Sequence, residues 1–183
     1  IMQELNKFTV PDNFRGKNIF VVQLWWFIRF VLFIPSPQFL YGWRNFLLRV
    51  FGSKIGKNVK IRPTAIITYP WNLTIGDFSW IGDDVKIYNL NHISIDKNSV
   101  ISQEAYLCAG SHDYKSVDFK IISSPITVEE GVWIAARCFI HPGVTVKKNC
   151  VISACSNLKN STKENGIYSG SPAIFIKTRL SEK

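Results

Sequence analysis

Acidic residues are scarce in this chain, and so is charge of either sign. Asp and Glu number 13 against 22 Lys and Arg, and charged residues fill only 19% of 183 positions. The formal charge of +9 points to anionic partners in general: phosphate groups, anionic lipid or nucleic acid. No Gly-rich phosphate loop is present. Neither G-x-G-x-x-G after a strand nor G-x-x-x-x-G-K-[ST] occurs, so ATP and NAD chemistry have no support. The four cysteines, Cys108, Cys138, Cys150 and Cys155, include no C-x-x-C pair, which favours small buried thiols in a reducing compartment over a disulfide framework. The opening residues, IMQELNKFTVPDNFRGKN, contain no apolar core of a secretory signal, so a cytoplasmic protein is expected. What is abundant is apolar: 46% hydrophobic and 14% aromatic residues exclude a disordered chain, and the length suits one domain.

The basic excess is uneven. Residues 1–54 hold seven basic and two acidic side chains, while residues 55–183 hold fifteen and eleven. The first third is also rich in Phe and Trp. Within it, NIFVVQLWWFIRFVLFI (18–34) is apolar except for Asn18, Gln23 and Arg29. Pro35 and Pro37 end it, and Gln38–Phe51 follows with Arg44 and Arg49 among aromatics. Two helices folded together are expected. They cap an end of the domain, pack between subunits, or make peripheral membrane contact through residues 18–51; seventeen residues with an internal Arg suit a membrane span poorly.

Beyond residue 54 the chain repeats in sixes. Residues 55–72 read IGKNVK, IRPTAI, ITYPWN, and 75–92 read IGDFSW, IGDDVK, IYNLNH. Three further sets follow at 95–112, 128–145 and 146–163. All fifteen first positions are Ile, Val or Leu, and thirteen of the fifteen fifth positions are small, Trp71 and Asn91 being the exceptions. Alternating sandwich strands would give period two without this six-residue lock. A six-residue unit with one inward aliphatic and one small residue predicts a short strand and a tight corner, three units making one triangular coil. The expectation is a mainly β parallel β-helix of about five coils over 55–163. An inserted loop covers 113–127, a helical leader 1–54 and a C-terminal segment 164–183.

The pattern resembles the hexapeptide-repeat acyltransferases, which implies a left-handed β-helix. ITYPWNLTIGDFSWIGDD, ISQEAYLCAGSHDY, GIYSGSPAIFIKTR and the tryptophan-rich leader are similar to the colanic acid biosynthesis (WcaF-type) O-acetyltransferases in particular. That resemblance implies acetyl-CoA as co-substrate, a sugar or glycan acceptor in exopolysaccharide synthesis, and a homotrimer with active sites between subunits. Whether the acceptor is lipid-linked stays open.

Transfer to a hydroxyl needs a base near neutral pH, and imidazole suits this. By resemblance His112 of SHDY is that base. His92 holds the same sixth position one coil earlier, so a regular stack would put both at one corner. It is a candidate acceptor contact or partner of His112, Asn89 is a candidate acceptor contact, and Asp113 and Tyr114 are candidates to orient the base or contact the acceptor; Asn91 and His141 more simply serve the fold. The polar side chain that galactoside and maltose acetyltransferases carry in the preceding coil aligns with Gly82, a departure. Trp133, Ala135, Ala136 and Ala154 match the family's positions along the pantetheine arm. Lys159, Lys177 and Arg179 are candidates for the CoA phosphates. No metal is expected: a γ-carbonic-anhydrase-like site needs an H-x4-H pair that the chain lacks. A non-catalytic β-helix binding module is the remaining alternative. No nucleic-acid-binding module is present.

Overall fold

The computed structural model describes residues 2–179. Short parallel strands run round three flat faces. The first sheet stacks Lys54–Ile55, Leu73–Ile75, Ile93–Ile95, Ile126–Val128 and Thr145–Val146. The second stacks Lys60–Ile61, Trp80–Ile81, Val100–Ile101, Trp133–Ile134 and Val151–Ile152. The third stacks Ile66–Ile67, Lys86–Tyr88, Tyr106–Cys108, Phe139–Ile140 and Asn157–Leu158. Ile61 lies over Ile81 and Ile67 over Ile87, a 20-residue coil, and Val128 over Val146 and Ile134 over Ile152, an 18-residue one. All fifteen first-position aliphatics are buried. Each contributes about 2 kcal/mol relative to exposure, and together they form the core of the β-helix.

The solenoid extends further than the repeat frame. Gly166–Gly170 adds a sixth rung to the second sheet, parallel to Val151–Ile152, and Ala173–Thr178 returns antiparallel on it. The expected end at residue 163 is therefore too early. This rung replaces the six-residue corner with a buried Tyr168, whose hydroxyl accepts from the Lys163 N–H. Residue 1 and residues 180–183, parts of the expected leader and C-terminal segment, lie outside the described residues.

The corners explain the tolerance of the sequence. Ten of the fourth positions have positive φ: Asn58, Phe78, Asp84, Asn98, Glu104, Gly131, Arg137, Gly143, Asn149 and Cys155. Eight are not glycine, so strand pairing on both sides outweighs the left-handed penalty. Cys155 is exposed at such a corner, unlike the buried Cys138 and Cys150. Second-position glycines answer a different need, since a Cβ on Gly76 would come within 2.4 Å of the Lys97 nitrogen one coil above.

Two helices, α1 (Ile19–Ile28) and α2 (Tyr41–Val50), close the open end of the first coil. Unpaired strand carbonyls there are exposed to solvent or to other edges. The leader supplies a donor to each sheet. Arg49 donates to the Ile55 carbonyl at 2.8 Å, Arg44 to Ile61 at 2.7 Å, Asn45 to Val59 at 2.8 Å and the Trp25 indole to Ile67 at 2.9 Å. The fully buried Arg44 guanidinium also bonds Ser36, Pro37 and Gln38. The helices thus cap the first coil through their inner face. Arg44 and Arg49 turn toward the β-helix, not outward.

Removing that hub is expected to be costly. Arg44→Met strips four acceptors of a charged donor and should lower stability by about 3 kcal/mol, read as a lower urea midpoint. A second outcome concerns pH. Glu129 accepts from Lys147 Nζ at 2.8 Å and from the Lys148 N–H, joining neighbouring coils, and the Lys147 bond holds its carboxyl below the ordinary 4.5. Its contribution is therefore present above pH 4.5 and is lost as pH falls through the lower folded value. Urea midpoints should separate wild type from Glu129→Gln at pH 6, and the gap should narrow as pH is taken below 4.5.

Candidate active site

The tight corners fail at one place. Between the third sheet and the next coil, positions 71, 91 and 111 carry Trp, Asn and Ser, and none of the three is buried. Here the third coil opens into a hairpin, Gly110–His112 paired antiparallel with Ile121–Ser123. The departure begins at Gly110, before the expected 113, and the stack resumes at Ile126, whose N–H donates to the His92 carbonyl at 3.1 Å. The insertion is structured, not a free loop.

His112 ends the first hairpin strand, half-buried. Its Nδ1 lies 2.8 Å from the Phe119 carbonyl oxygen. A carbonyl only accepts, so Nδ1 carries the proton and Nε2 keeps a lone pair. The ring stacks on Phe119 at 4.1 Å between centroids and 9° between planes. Phe119 itself sits at φ 49°, a left-handed conformation that costs a bulky residue energy and is kept here by the hairpin. An N-terminal arm closes over the same turn. The Glu4 N–H donates to the Val117 carbonyl at 2.8 Å, and the Phe8 ring lies 6.1 Å from that of His112.

The other expected acceptor contacts separate. Asn89 is fully buried, with Oδ1 accepting from the Tyr69 N–H and Nδ2 donating to the Tyr69 carbonyl. Both ends of its amide are consumed, so it braces the corner and is not a substrate contact. His92 does not bond His112, because the rung above it is Ile126 and not the hairpin. Its Nε2 meets the Thr74 hydroxyl at 3.1 Å, and partial burial with the Lys54 charge pushes its pKa below 6.5, toward the neutral ring. Asp113 does not orient His112 either. Its carboxylate accepts from the Lys115 N–H, and the orienting role falls to the Phe119 carbonyl. Tyr114 is exposed on the turn. Asn91 bonds the His92 N–H and Ser123, and His141 bonds Asn157 at 2.6 Å.

A groove of about 380 Å³ lies on the second sheet beside α2, lined by Tyr41, Lys60, Arg62, Trp80, Gly82, Ser102 and Gln103. Trp133 adjoins it, donating from its indole to Ser102 Oγ at 2.9 Å. Gly82 is explained by close approach: a Cβ there would come within 2.8 Å of the Gln103 nitrogen. Any polar group at this level comes instead from Arg62, held by Asp83 at 2.7 Å, or from Gln103.

Of the expected cofactor residues, Ala136 is half-buried and Ala154 exposed on successive coils, tied by the Cys155 N–H to the Ala136 carbonyl. Ala135 is buried and its N–H is taken by Ile152, so it belongs to the packing. Lys159 and Lys177 are exposed and in no ion pair among the described residues. Arg179 spends its guanidinium on the Gly131 and Asn149 carbonyls, fastening the last strand. Among the described residues no three metal-ligating side chains gather.

No protein-family model matches the chain. It is 51% identical over 179 residues, 98% of both chains, to WcaF of Escherichia coli (strain K12), named as a colanic acid biosynthesis acetyltransferase. The chain belongs to the WcaF-type acetyltransferases. The galactoside O-acetyltransferase of the same organism is 26% identical over 137 residues, covering 73% of this chain and 68% of that one. Two solved structures share the fold. A galactoside acetyltransferase with coenzyme A has a TM-score of 0.82 at 22% identity, over 93% of this chain and 84% of that one. The hexapeptide-repeat acetyltransferase VCA0836 of Vibrio cholerae with acetyl coenzyme A has 0.79 at 21%, over 88% of each. For a WcaF-type acetyltransferase, Phe119, Phe8, Arg62 and Gln103 are the positions that repeat analysis overlooks. None lies on the inward register that the hexapeptides announce.

Proposed function

We propose that the protein transfers an acetyl group directly from acetyl-CoA to a sugar hydroxyl during assembly of a colanic-acid-like exopolysaccharide, with His112 as general base. The observation that carries this is the fixed tautomer of His112, in which the Phe119 carbonyl claims the Nδ1 proton and leaves Nε2 free to accept. The acceptor O–H gives its proton to Nε2 as its oxygen attacks the thioester carbonyl carbon. The new C–O bond forms, the C–S bond breaks, and the CoA sulfur takes the proton back from the imidazolium. Base and acid are one residue, and no further reactant is required. Asp113 and Tyr114 flank the base at the turn where an acceptor would enter, and His92, neutral near pH 7, offers a hydrogen bond one coil below.

On the donor side, Trp133, Ala136 and Ala154 present one bulky and two small surfaces on neighbouring coils, suited to a pantetheine arm bonded to main chain. Lys159 and Lys177 remain available for the CoA phosphates; the strands before and around them lie against each other. We further propose a homotrimer with each site between two copies. Exposed Phe78, Trp80 and Trp133 along the second sheet, with Ile174, Phe175 and Ile176 on its last strand, offer an apolar flank for such a contact.

Two substitutions test the mechanism. His112→Ala should cut acceptor-dependent CoA release about a thousandfold at unchanged assembly mass; equal turnover by both proteins would sink the assignment. Phe119→Ala keeps the orienting carbonyl but loses the stacked ring. It should lower kcat about tenfold with little change in KM for acetyl-CoA, and Phe119→Tyr should restore it.

A further inference from the structure

The cap is built inside out. Its polar side chains, Arg44, Asn45 and Arg49, bond the carbonyls of the first coil, while its outer surface is apolar. Helix α1 buries only Val22 and Trp25. The rest of it and the wide turn that follows, closed by the Ile34 N–H on the Arg29 carbonyl, leave Phe20, Leu24, Phe27 and Val31 exposed as one helical stripe, with Trp26 and Phe30 beside it. Helix α2 exposes Trp43, Phe46 and Val50 at the same spacing. The two stripes adjoin, since the Trp43 indole donates to the Leu32 carbonyl and one groove is lined by Leu24 and Val50 together with Lys17. Water is a poor neighbour for such a surface.

Charge indicates what covers it. From Asn13 to Gly76 there are nine Lys and Arg and no Asp or Glu. Lys17, Lys54, Lys57 and Lys60 are exposed around the cap. Arg29 continues the inward row of Val22, Trp25 and Phe33 and is half-buried there, so it is not one of the cations of the outer face. The helical run Ile19–Phe33 is about 22 Å long at 1.5 Å per residue against a hydrocarbon layer of about 30 Å, and no helix among the described residues is long and apolar enough to cross a membrane.

We infer that the outer face of the α1–α2 cap docks on an anionic lipid bilayer, lying in its interface with the surrounding lysines over the headgroups. The partner is a bilayer and not a second copy, because the exposed Lys17, Lys54, Lys57 and Lys60, with no Asp or Glu between Asn13 and Gly76, would face their own copies across a self-contact.

Vesicle sedimentation of the full chain tests this without any turnover. Vesicles of phosphatidylcholine with about a third phosphatidylglycerol should carry the protein down, and phosphatidylcholine alone should bind at least about fivefold less. A Phe20→Ser, Phe27→Ser, Phe30→Ser triple variant, exposed positions whose change should leave the circular dichroism and CoA release intact, should lose binding about tenfold. Brominated lipid should quench wild-type tryptophan fluorescence, and Trp26→Phe should reduce that quenching. Equal binding by the triple variant, absence of quenching, or a wild type that ignores both vesicles overturns the inference. So does a triple variant that changes only the assembly mass, which would assign the face to a second copy.

Discussion

A stack of parallel rungs ends in unpaired carbonyls, and everything before Lys54 is arranged around that fact. Each of the three sheets presents an edge at the first coil, and the leader meets each with a side-chain donor: Arg49, Arg44 with Asn45, and Trp25. An edge satisfied by arginine is closed to strand addition by another chain. The arrangement has a consequence for the helices. Amphipathic helices ordinarily bury apolar side chains and expose polar ones. Here part of the polar complement is spent inward, so much of the apolar complement is left outside.

The other structural departure is the corner at the third coil. Two lower coils turn that corner with Trp71 and Asn91, wider than the tight turns elsewhere, and the third opens into the hairpin. The site residues follow from that opening. His112 needs a carbonyl at Nδ1, and a regular rung has none to give because its carbonyls pair with the coil above. The hairpin turn brings the Phe119 carbonyl back on His112 at the cost of a left-handed Phe. One strained residue thus sets both the tautomer and the plane of the ring.

Much of this was legible in the residues, for a physical reason. The inward column is a one-dimensional code: every sixth residue must be aliphatic, so the coil count over 55–163 and the core could be read directly. Corner chemistry was not legible, because coil stacking overrides the usual preference for glycine and lets Phe78, Glu104 and Arg137 adopt positive φ. Gly166–Gly170 escaped because Tyr168 plugs the last coil without the hexapeptide frame. His112 was visible through its motif. Its partner was not: a carbonyl seven residues away carries no side-chain signature, so Asp113, the nearest carboxylate, drew the expectation. Asn89 misled for the opposite reason, since a buried amide bonded to backbone and an amide waiting for sugar look alike in a string of letters.

The N-terminal arm joins the two departures. It leaves the hairpin at Glu4 and Phe8, and its Arg15 carbonyl accepts from the Trp71 indole before α1 begins. The cap and the turn that holds His112 are therefore linked by about a dozen residues on one side of the molecule. Coils rise about 4.8 Å each, so the third coil stands about 10 Å beyond the first, and a helix layer adds about 10 Å more. With the cap on a bilayer and the solenoid axis along its normal, His112 would lie about 20 Å above the lipid surface. In this geometry the basic excess has a direction. On the inferred docking the lysines around the cap would address the membrane, and on the proposed donor site Lys159 and Lys177 at the far end would meet the CoA phosphates, while the arginines of α2 are spent on the carbonyls of the first coil.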